Sequence, residues 1–213
     1  MNADLLVIAK EPIPGRSKTR LSPPLSPSEA ASVAEAALAD TLATVASVAA
    51  RRRILVLDGS PGAWLPSGFE IVPQTDGGLD ARLAGAFSAT EGPALLVGMD
   101  TPQVSAALLE RAFGVLSEEG NDAVLGPAED GGWWAIGLMK PSPEVFLGLP
   151  MSSGDTCAAQ VKRLEGLGLA WSELPTLRDI DVIEDARAVA VENPDRRFSQ
   201  KLREIEESWA PTA

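Results

Sequence analysis

Histidine is absent from the 213 residues, and cysteine occurs once, at Cys157. Without histidine the chain cannot use Ser-His catalysis, a histidine general base or a His-ligated metal centre. A single cysteine excludes an intrachain disulfide, and the lack of histidine beside it also disfavours a zinc site. The remaining groups are carboxylates, lysine, arginine, hydroxyls and backbone amides. They suit magnesium-assisted phosphate chemistry, which requires positioning and charge neutralisation.

Positive charge and long apolar runs are also scarce. Lysine and arginine number 18 against 30 aspartates and glutamates, which gives a formal net charge of −12. This balance argues against a general nucleic-acid or anionic-membrane binder. No apolar segment has transmembrane length, and the N-terminus lacks a signal-peptide pattern. We therefore expect a cytoplasmic protein with no nucleic-acid or membrane partner.

Short, continuous apolar runs alternate with helical patterns along the chain. Such runs are typical of strands buried on both faces of a parallel sheet. They predict strands at residues 4–9, 54–57, 70–73, 94–97, 123–125 and 169–174. A capping box at residues 26–29 begins a helix that is predicted to end near residue 50. We predict one domain over residues 1–213, an α/β fold with three α/β/α layers and a Rossmann-like, mostly parallel sheet.

The run at residues 94–97 leads directly to Gly98, Asp100 and Pro102. Gly98 lets the backbone turn and Pro102 stops further pairing, so Asp100 should lie just past the carboxyl end of a central strand. Ligands bind at that edge of open α/β sheets, and a carboxylate there suits a hard cation. We predict that Asp100 is a metal ligand. The alternative is an aspartate that only caps the next helix.

A loop rich in cations and hydroxyls follows the first strand. Two prolines and Gly15 forbid regular structure there, and the spacing is not that of a Walker loop. Within eleven residues of an acidic protein the loop carries Lys10, Arg16, Lys18 and Arg20. Arginine forms bidentate contacts with phosphate and lysine adds a movable charge, so we predict a polyphosphate site. A solvated basic loop is the alternative.

A second candidate segment follows the strand at residues 70–73. Gln74 offers an amide to a nucleobase edge, and the glycines at 77 and 78 allow close approach of a flat ligand. An ordinary strand-to-helix turn is the alternative interpretation.

A third segment combines Asp130 and two glycines with Trp133 and Trp134. Neighbouring side chains of a strand face opposite ways, so one tryptophan can enter the core while the other faces a pocket. Two structural tryptophans are the alternative.

The last candidate segment contains Asp179 and Asp181 on one side of an extended stretch. Either carboxylate can complete a metal site, and helix capping is again the alternative. Cys157 is interpreted as a small core residue.

Four motifs carry a family resemblance. Residues 9–21 match Ala-Lys-x-Pro-x-Pro-Gly-x-x-Lys-Thr-Arg-Leu, and residues 98–102 match Gly-x-Asp-x-Pro. Residues 126–133 match Gly-Pro-x-x-Asp-Gly-Gly-Tyr except that Trp133 replaces the tyrosine, and residues 179–181 are Asp-Ile-Asp. In order and spacing the chain resembles the bacterial selenodomain-associated, glycosyltransferase-like transferases. That family is part of the nucleotide-diphospho-sugar transferase superfamily, which includes the guanylyltransferases of coenzyme F420 and molybdenum-cofactor synthesis.

The resemblance implies a glycosyltransferase-A fold with a nucleoside triphosphate or nucleotide sugar at the carboxyl ends of the strands. It implies Mg²⁺ or Mn²⁺ held by Asp100 with Asp181. It also implies catalytic roles for Lys18, Arg20, Asp100 and Asp130. The residues then expected to bind the nucleotide or border the substrate are Lys10, Gly15, Arg16, Thr19, Gln74, Gly78, Gly131, Gly132 and Trp133.

Three functions follow as alternatives. The first is a nucleotidyltransferase that moves a nucleoside monophosphate from a triphosphate to a small phosphorylated or carboxylate acceptor. The second is a glycosyltransferase in which Asp130 or Glu129 deprotonates an acceptor hydroxyl. The third is a non-catalytic nucleotide-binding protein. Base, acceptor and the choice between a monomer and a homodimer stay open.

Overall fold

Seven strands form one mixed sheet in the computed structural model, which describes residues 2–209. The strand order is β3-β2-β1-β4-β6-β5-β7, and neighbouring strands are parallel except that β6 is antiparallel to β4 and β5. The strands are β1 Asp4–Lys10, β2 Arg53–Asp58, β3 Glu70–Pro73, β4 Ala94–Gly98, β5 Ala123–Pro127, β6 Trp133–Leu138 and β7 Trp171–Glu173. The predicted α/β class and the mostly parallel sheet are confirmed.

Helices cover both faces of the sheet because the central strands are apolar on both sides. On one face the sheet packs against α1 and α3, and on the other against α2 and α4. Two more helices, α5 and α6, pack on the outer surface of α1 around Phe198 and Leu202. The helices are α1 Pro27–Ser47, α2 Leu79–Ser88, α3 Ala106–Leu116, α4 Thr156–Gly166, α5 Ile183–Glu192 and α6 Arg197–Ser208.

The ends of α1 show where local sequence decided the structure and where it did not. The predicted capping box is present, since Ser26 and Glu29 exchange backbone-to-side-chain hydrogen bonds of 2.7 and 3.3 Å. The helix ends at Ser47 and not near residue 50. Arg53 then donates to the carbonyls of Val45 and Val48 and satisfies the helix C-terminus.

The carboxyl ends of β1, β2, β3 and β4 open on the same side of the sheet, because these strands are parallel. The loops that follow β1 and β4 therefore meet, although they are far apart in the chain. No helix within residues 2–209 is both long enough and apolar enough to span a membrane.

Candidate functional site

A cleft of about 670 Å³ lies at this edge of the sheet. Its walls come from the loop after β1, the segment from β3 into α2, the end of β4, the turn before β6, and the segments that lead into α4 and α5. Most of the residues predicted from the sequence line it, namely Lys10, Arg16, Lys18, Thr19, Arg20, Gln74, Asp100, Asp130, Gly132, Trp133 and Asp181. The remaining three, Gly15, Gly78 and Gly131, lie beside the cleft without lining it.

The loop after β1 has an ordered internal structure. The buried hydroxyl of Ser17 donates to the carbonyl of Glu11 and accepts from the amide of Ile13, both at 3.0 Å. The carbonyl of Ile13 accepts the amides of Arg16 and Ser17. Gly15 occupies the turn with φ of 75°. Its role is thus to permit the turn that directs the neighbouring cations, and ligand contact by Gly15 stays a prediction.

Lys18 points its ammonium group at Asp100. The Lys18 backbone has φ of 49°, which is unusual for a residue other than glycine. Its side chain is 11% exposed, with Nζ 2.5 Å from Asp100 Oδ1. Nζ also donates to the carbonyl of Ile180. The carboxylate of Asp100 is 48% exposed. Lys18 therefore fills the inner side of a carboxylate whose outer side is open to solvent.

Arg20 forms the second ion pair of this region, with Asp181. Leu21 and Ile180, next to these two residues, are both buried in the cluster of α1, α5 and α6. The amide of Ile180 donates to the carbonyl of Asp100 at 2.9 Å. The loop after β1, the end of β4 and the segment before α5 are thus fastened to one another. The structure therefore brings the first and last motifs to Asp100, whereas the roles expected of their residues stay predictions.

Asp179 is a carboxylate whose importance the sequence left undecided. Burial, followed by the negative charge of Asp130, raises the pKa of Asp179 to about 6. Its own backbone amide and Lys18 oppose this rise in pKa, whereas Asp100 adds to it. Asp179 therefore lies within the electrostatic reach of both Asp100 and Asp130. Asp179 and Asp181 are thus both candidates for the second carboxylate of a metal site at Asp100. The role of either one as a metal ligand stays a prediction.

These carboxylates fit a hard divalent cation in their chemistry. The donors are oxygens, and burial together with the negative charge of Asp130 raises the pKa of Asp179. Within residues 2–209 no group of three or more Asp, Glu, His or Cys side chains is arranged to hold a metal. Mg²⁺ usually takes one or two carboxylates and completes its shell with water and substrate phosphates. The arrangement agrees with that mode of binding and not with an all-protein cage.

The side-chain amide of Gln74, expected to meet a nucleobase, forms hydrogen bonds inside the protein. Its Nε2 donates to the carbonyls of Ala9 and Val56 at 2.7 and 3.2 Å. Its Oε1 accepts from Arg82 Nη1 at 3.1 Å, and Arg82 also pairs with Asp58 at 2.9 Å. Both amide hydrogens are therefore engaged inside the protein, although Gln74 lines the cleft. Recognition of a base by Gln74 stays a prediction only for its carbonyl oxygen.

The two glycines before α2, Gly77 and Gly78, have different positions relative to the cleft. Gly77 has φ of 109° and lines the cleft, whereas Gly78 is the N-cap residue of α2. A Cβ atom at Gly78 would lie 2.6 Å from Asp80 Oδ1. Gly77 thus faces the cleft, and contact of Gly78 with a ligand stays a prediction.

The two adjacent tryptophans face opposite sides of β6, as predicted. Trp134 is 2% exposed in the core under α1 and α3, and its indole donates to the carbonyl of Pro175 at 3.0 Å. Trp133 is half-buried and lines the cleft. Before β6, Gly131 has φ of 88°, and a Cβ atom there would lie 2.0 Å from the carbonyl oxygen of Gly154. Gly131 therefore lets the turn pack against the segment before α4.

The segment before α4 forms a wall of the cleft that sequence analysis missed. Met151, Ser152, Ser153 and Thr156 line it, and Ser152 has φ of 58°. Lys18 and Ser152 are the two residues other than glycine with positive φ in the described chain, and they lie on the same cleft. Strained backbone is concentrated at functional sites. The helix α4 begins directly after this segment, at Thr156.

Comparison with known proteins supplies a family. Residues 31–153 match the model of a family described as uncharacterized proteins conserved in bacteria (DUF2064). The chain belongs to this family. The matched range of this DUF2064 protein contains Asp100 and Asp130, and the cation-rich loop and Asp179 lie outside it. None of the curated proteins matches the sequence.

Several solved structures are similar to this DUF2064 protein, and two of the three described here are named as transferases. A provisionally assigned nucleotide-diphospho-sugar transferase from Desulfovibrio desulfuricans G20 is 25% identical, with a TM-score of 0.86 over 97% of this chain and 96% of that one. A cytidylyltransferase from Leptospira borgpetersenii is 11% identical, with a TM-score of 0.59 over 98% and 95%. Rv0371c from Mycobacterium tuberculosis H37Rv, solved with manganese, is 20% identical, with a TM-score of 0.52 over 89% and 97%. The latter two show the shared fold alone, and the resemblance to the nucleotide-diphospho-sugar transferase superfamily is confirmed.

Proposed function

We propose that this DUF2064 protein is a nucleotidyltransferase that uses a nucleoside triphosphate, Mg²⁺ or Mn²⁺ and a small acceptor, and releases pyrophosphate. The observation that carries the proposal is the concentration of cations on one side of the cleft in a protein of net charge −12. These cations are Lys10, Arg16, Lys18, Arg20 and Arg82.

The charge distribution suits a triphosphate better than a smaller anion. A triphosphate carries several negative charges along a flexible chain, and an extended set of arginines and lysines can contact it at several points. Lys10 and Arg16 are exposed at the mouth, whereas Lys18 lies deep beside Asp100. The phosphates would therefore extend from the mouth toward the carboxylates.

The proposed reaction is attack by an acceptor oxygen on the α-phosphorus, with cleavage of the bond to the β-phosphate and departure of pyrophosphate. An ionised phosphate or carboxylate acceptor needs no general base, which agrees with the absence of histidine. Asp100, with Asp179 or Asp181, would hold the divalent cation, whose chemistry is to offset the charge on the phosphates. Lys18 and Arg20 would stabilise the negative charge of the leaving pyrophosphate.

Glycosyl transfer is the second candidate, and the opposite wall of the cleft favours it. The lining residues between 130 and 156 include Asp130, Trp133 and three hydroxyl residues but no cation. A neutral sugar hydroxyl suits such a wall better than an anionic acceptor, and Asp130 would accept its proton. The structure from D. desulfuricans, a provisionally assigned nucleotide-diphospho-sugar transferase, points the same way.

Phosphorus NMR separates the two candidates. A thermal-shift screen of nucleotides and nucleotide sugars first identifies a ligand, since binding at a hundredfold excess over Kd stabilises a protein by about 2.7 kcal/mol. The ligand is then incubated with Mg²⁺ or Mn²⁺ and panels of phosphate, carboxylate and hydroxyl acceptors. Pyrophosphate formed from a triphosphate supports nucleotidyl transfer. A nucleoside diphosphate formed from a nucleotide sugar instead would replace it with glycosyl transfer.

A further inference from the structure

Two of the cations that line the cleft are already paired with carboxylates proposed for the metal. Lys18 contacts Asp100 at 2.5 Å, and Arg20 pairs with Asp181. Side-chain cations therefore stand where a divalent cation would be needed. This arrangement concerns the proposed site, and the inference below rests on the proposed function.

Of the two pairs, Lys18 with Asp100 is the more consequential. Arg20 is 72% exposed, so its pair with Asp181 is screened by water and breaks at little cost. The Lys18 ammonium is shielded from solvent and is further held by the carbonyl of Ile180. Like charges at contact distance repel strongly where water is partly excluded. A divalent cation at Asp100 would therefore meet repulsion from Lys18 for as long as the lysine stays in place.

We propose that Lys18 is a positioning residue whose ammonium group pairs with Asp100 in the free protein and moves to the nucleotide's phosphates when the nucleotide binds. Binding of the nucleotide therefore favours binding of the metal at Asp100, and binding of the metal favours binding of the nucleotide. The phosphates offer Lys18 a new partner, and its departure leaves Asp100 free to bind the divalent cation. The metal in turn replaces Lys18 at Asp100 and leaves the lysine free for phosphate.

Two consequences follow, because the ion pair of Lys18 with Asp100 competes with both ligands. Removing the Lys18 charge should strengthen metal binding in the absence of nucleotide. Removing the Asp100 charge should strengthen polyphosphate binding in the absence of metal.

Binding of Mn²⁺ alone, followed by electron paramagnetic resonance of the free ion, tests the first consequence. The variant Lys18→Met removes the charge and keeps most of the side-chain length. Lys162→Met is the matched control, because Lys162 is an exposed lysine on α4 that does not line the cleft. We expect Lys18→Met to bind Mn²⁺ at least about fivefold more tightly than wild type, at the low end of typical coupling factors. The control should match wild type.

Calorimetry with inorganic tripolyphosphate in EDTA tests the second consequence. We expect Asp100→Asn to bind tripolyphosphate at least about fivefold more tightly than wild type, and Lys18→Met to bind it more weakly. This arm keeps Lys18 in place, so it remains decisive if Lys18→Met does not fold. Unchanged or weaker Mn²⁺ binding by folded Lys18→Met, or no gain of tripolyphosphate affinity in Asp100→Asn, would overturn the proposal. Both arms omit nucleotide and turnover, so a failure of nucleotidyl transfer in the NMR assay is distinguishable from a failure here.

Discussion

The buried carboxylate of Asp4 offers a test of how the sheet is held at the end opposite the cleft. Asp4 is 0% exposed and begins β1. Arg51 donates to it at 2.7 and 2.8 Å, and Arg52 donates at 2.6 and 3.3 Å. Both arginines thus contact one carboxylate in a bidentate manner, which is the strong form of a charge-assisted hydrogen bond.

We predict that Asp4→Asn lowers the free energy of unfolding by about 3 kcal/mol. Removing one partner of a buried ion pair typically costs about 3–5 kcal/mol. The lower figure applies because the two arginine side chains are 25% and 31% exposed, so water can partly replace the lost contacts. For a chain of this size that loss corresponds to a fall in Tm of roughly 6–12 °C.

The pH dependence of the free energy of unfolding provides a second, independent test of this prediction. Burial raises the pKa of Asp4, but hydrogen bonds and charges from Arg51 and Arg52 outweigh it and hold the pKa below its usual range. The folded state therefore favours the ionised form, and its contribution is complete above the unfolded pKa of about 4. The contribution is lost as the pH falls through the lower folded pKa. The gap between wild type and Asp4→Asn should be constant from about pH 8 to pH 5 and should narrow below about pH 4.

Urea unfolding, followed by tryptophan fluorescence at several pH values, measures both quantities. Glu91→Gln is the control, since it removes an exposed acidic charge near Arg51 and should change stability by at most about 0.5 kcal/mol. A loss below about 1 kcal/mol for Asp4→Asn at neutral pH would refute the reasoning. So would a gap that widens in acid.

Two further predictions concern the cleft. Arg20→Ala should leave Tm nearly unchanged, because the pair with Asp181 is exposed. It should weaken nucleotide binding roughly tenfold to a hundredfold, as expected for the loss of a charge-assisted hydrogen bond of about 1.5–3 kcal/mol. Calorimetry measures this affinity. An unchanged affinity would mean that the loop after β1 is only a solvated basic loop. Asp100→Asn should stay folded but lose metal-dependent turnover by at least about a hundredfold, roughly 2.7 kcal/mol in barrier. Near wild-type turnover of that variant would exclude the metal role.

Local sequence determined most of the secondary structure. Continuous apolar runs become the central strands because only a sheet covered on both faces buries them completely. The capping box of Ser26 and Glu29 begins α1 at the predicted residue, since its two hydrogen bonds involve neighbours in the chain. The placement of Asp100 at the sheet edge follows in the same way from the end of β4.

Regions without such periodicity were predicted less well. The segment that leads into α4 was not identified as part of the cleft, although Met151, Ser152 and Ser153 line it and Ser152 has positive φ. Its conformation depends on the close approach of Gly131 to Gly154, which nothing in either segment alone reveals.

Only the tertiary structure decided which charged and polar groups meet. The sequence identified Lys18, Arg20, Asp100 and Asp181 as candidates, but not that each cation would face one particular carboxylate. It likewise could not show that both amide hydrogens of Gln74 are used by Ala9 and Val56. Secondary structure follows from interactions between near neighbours, whose geometry the local pattern sets. Pairing of charges across the cleft depends on distances and burial that arise only when distant segments pack together.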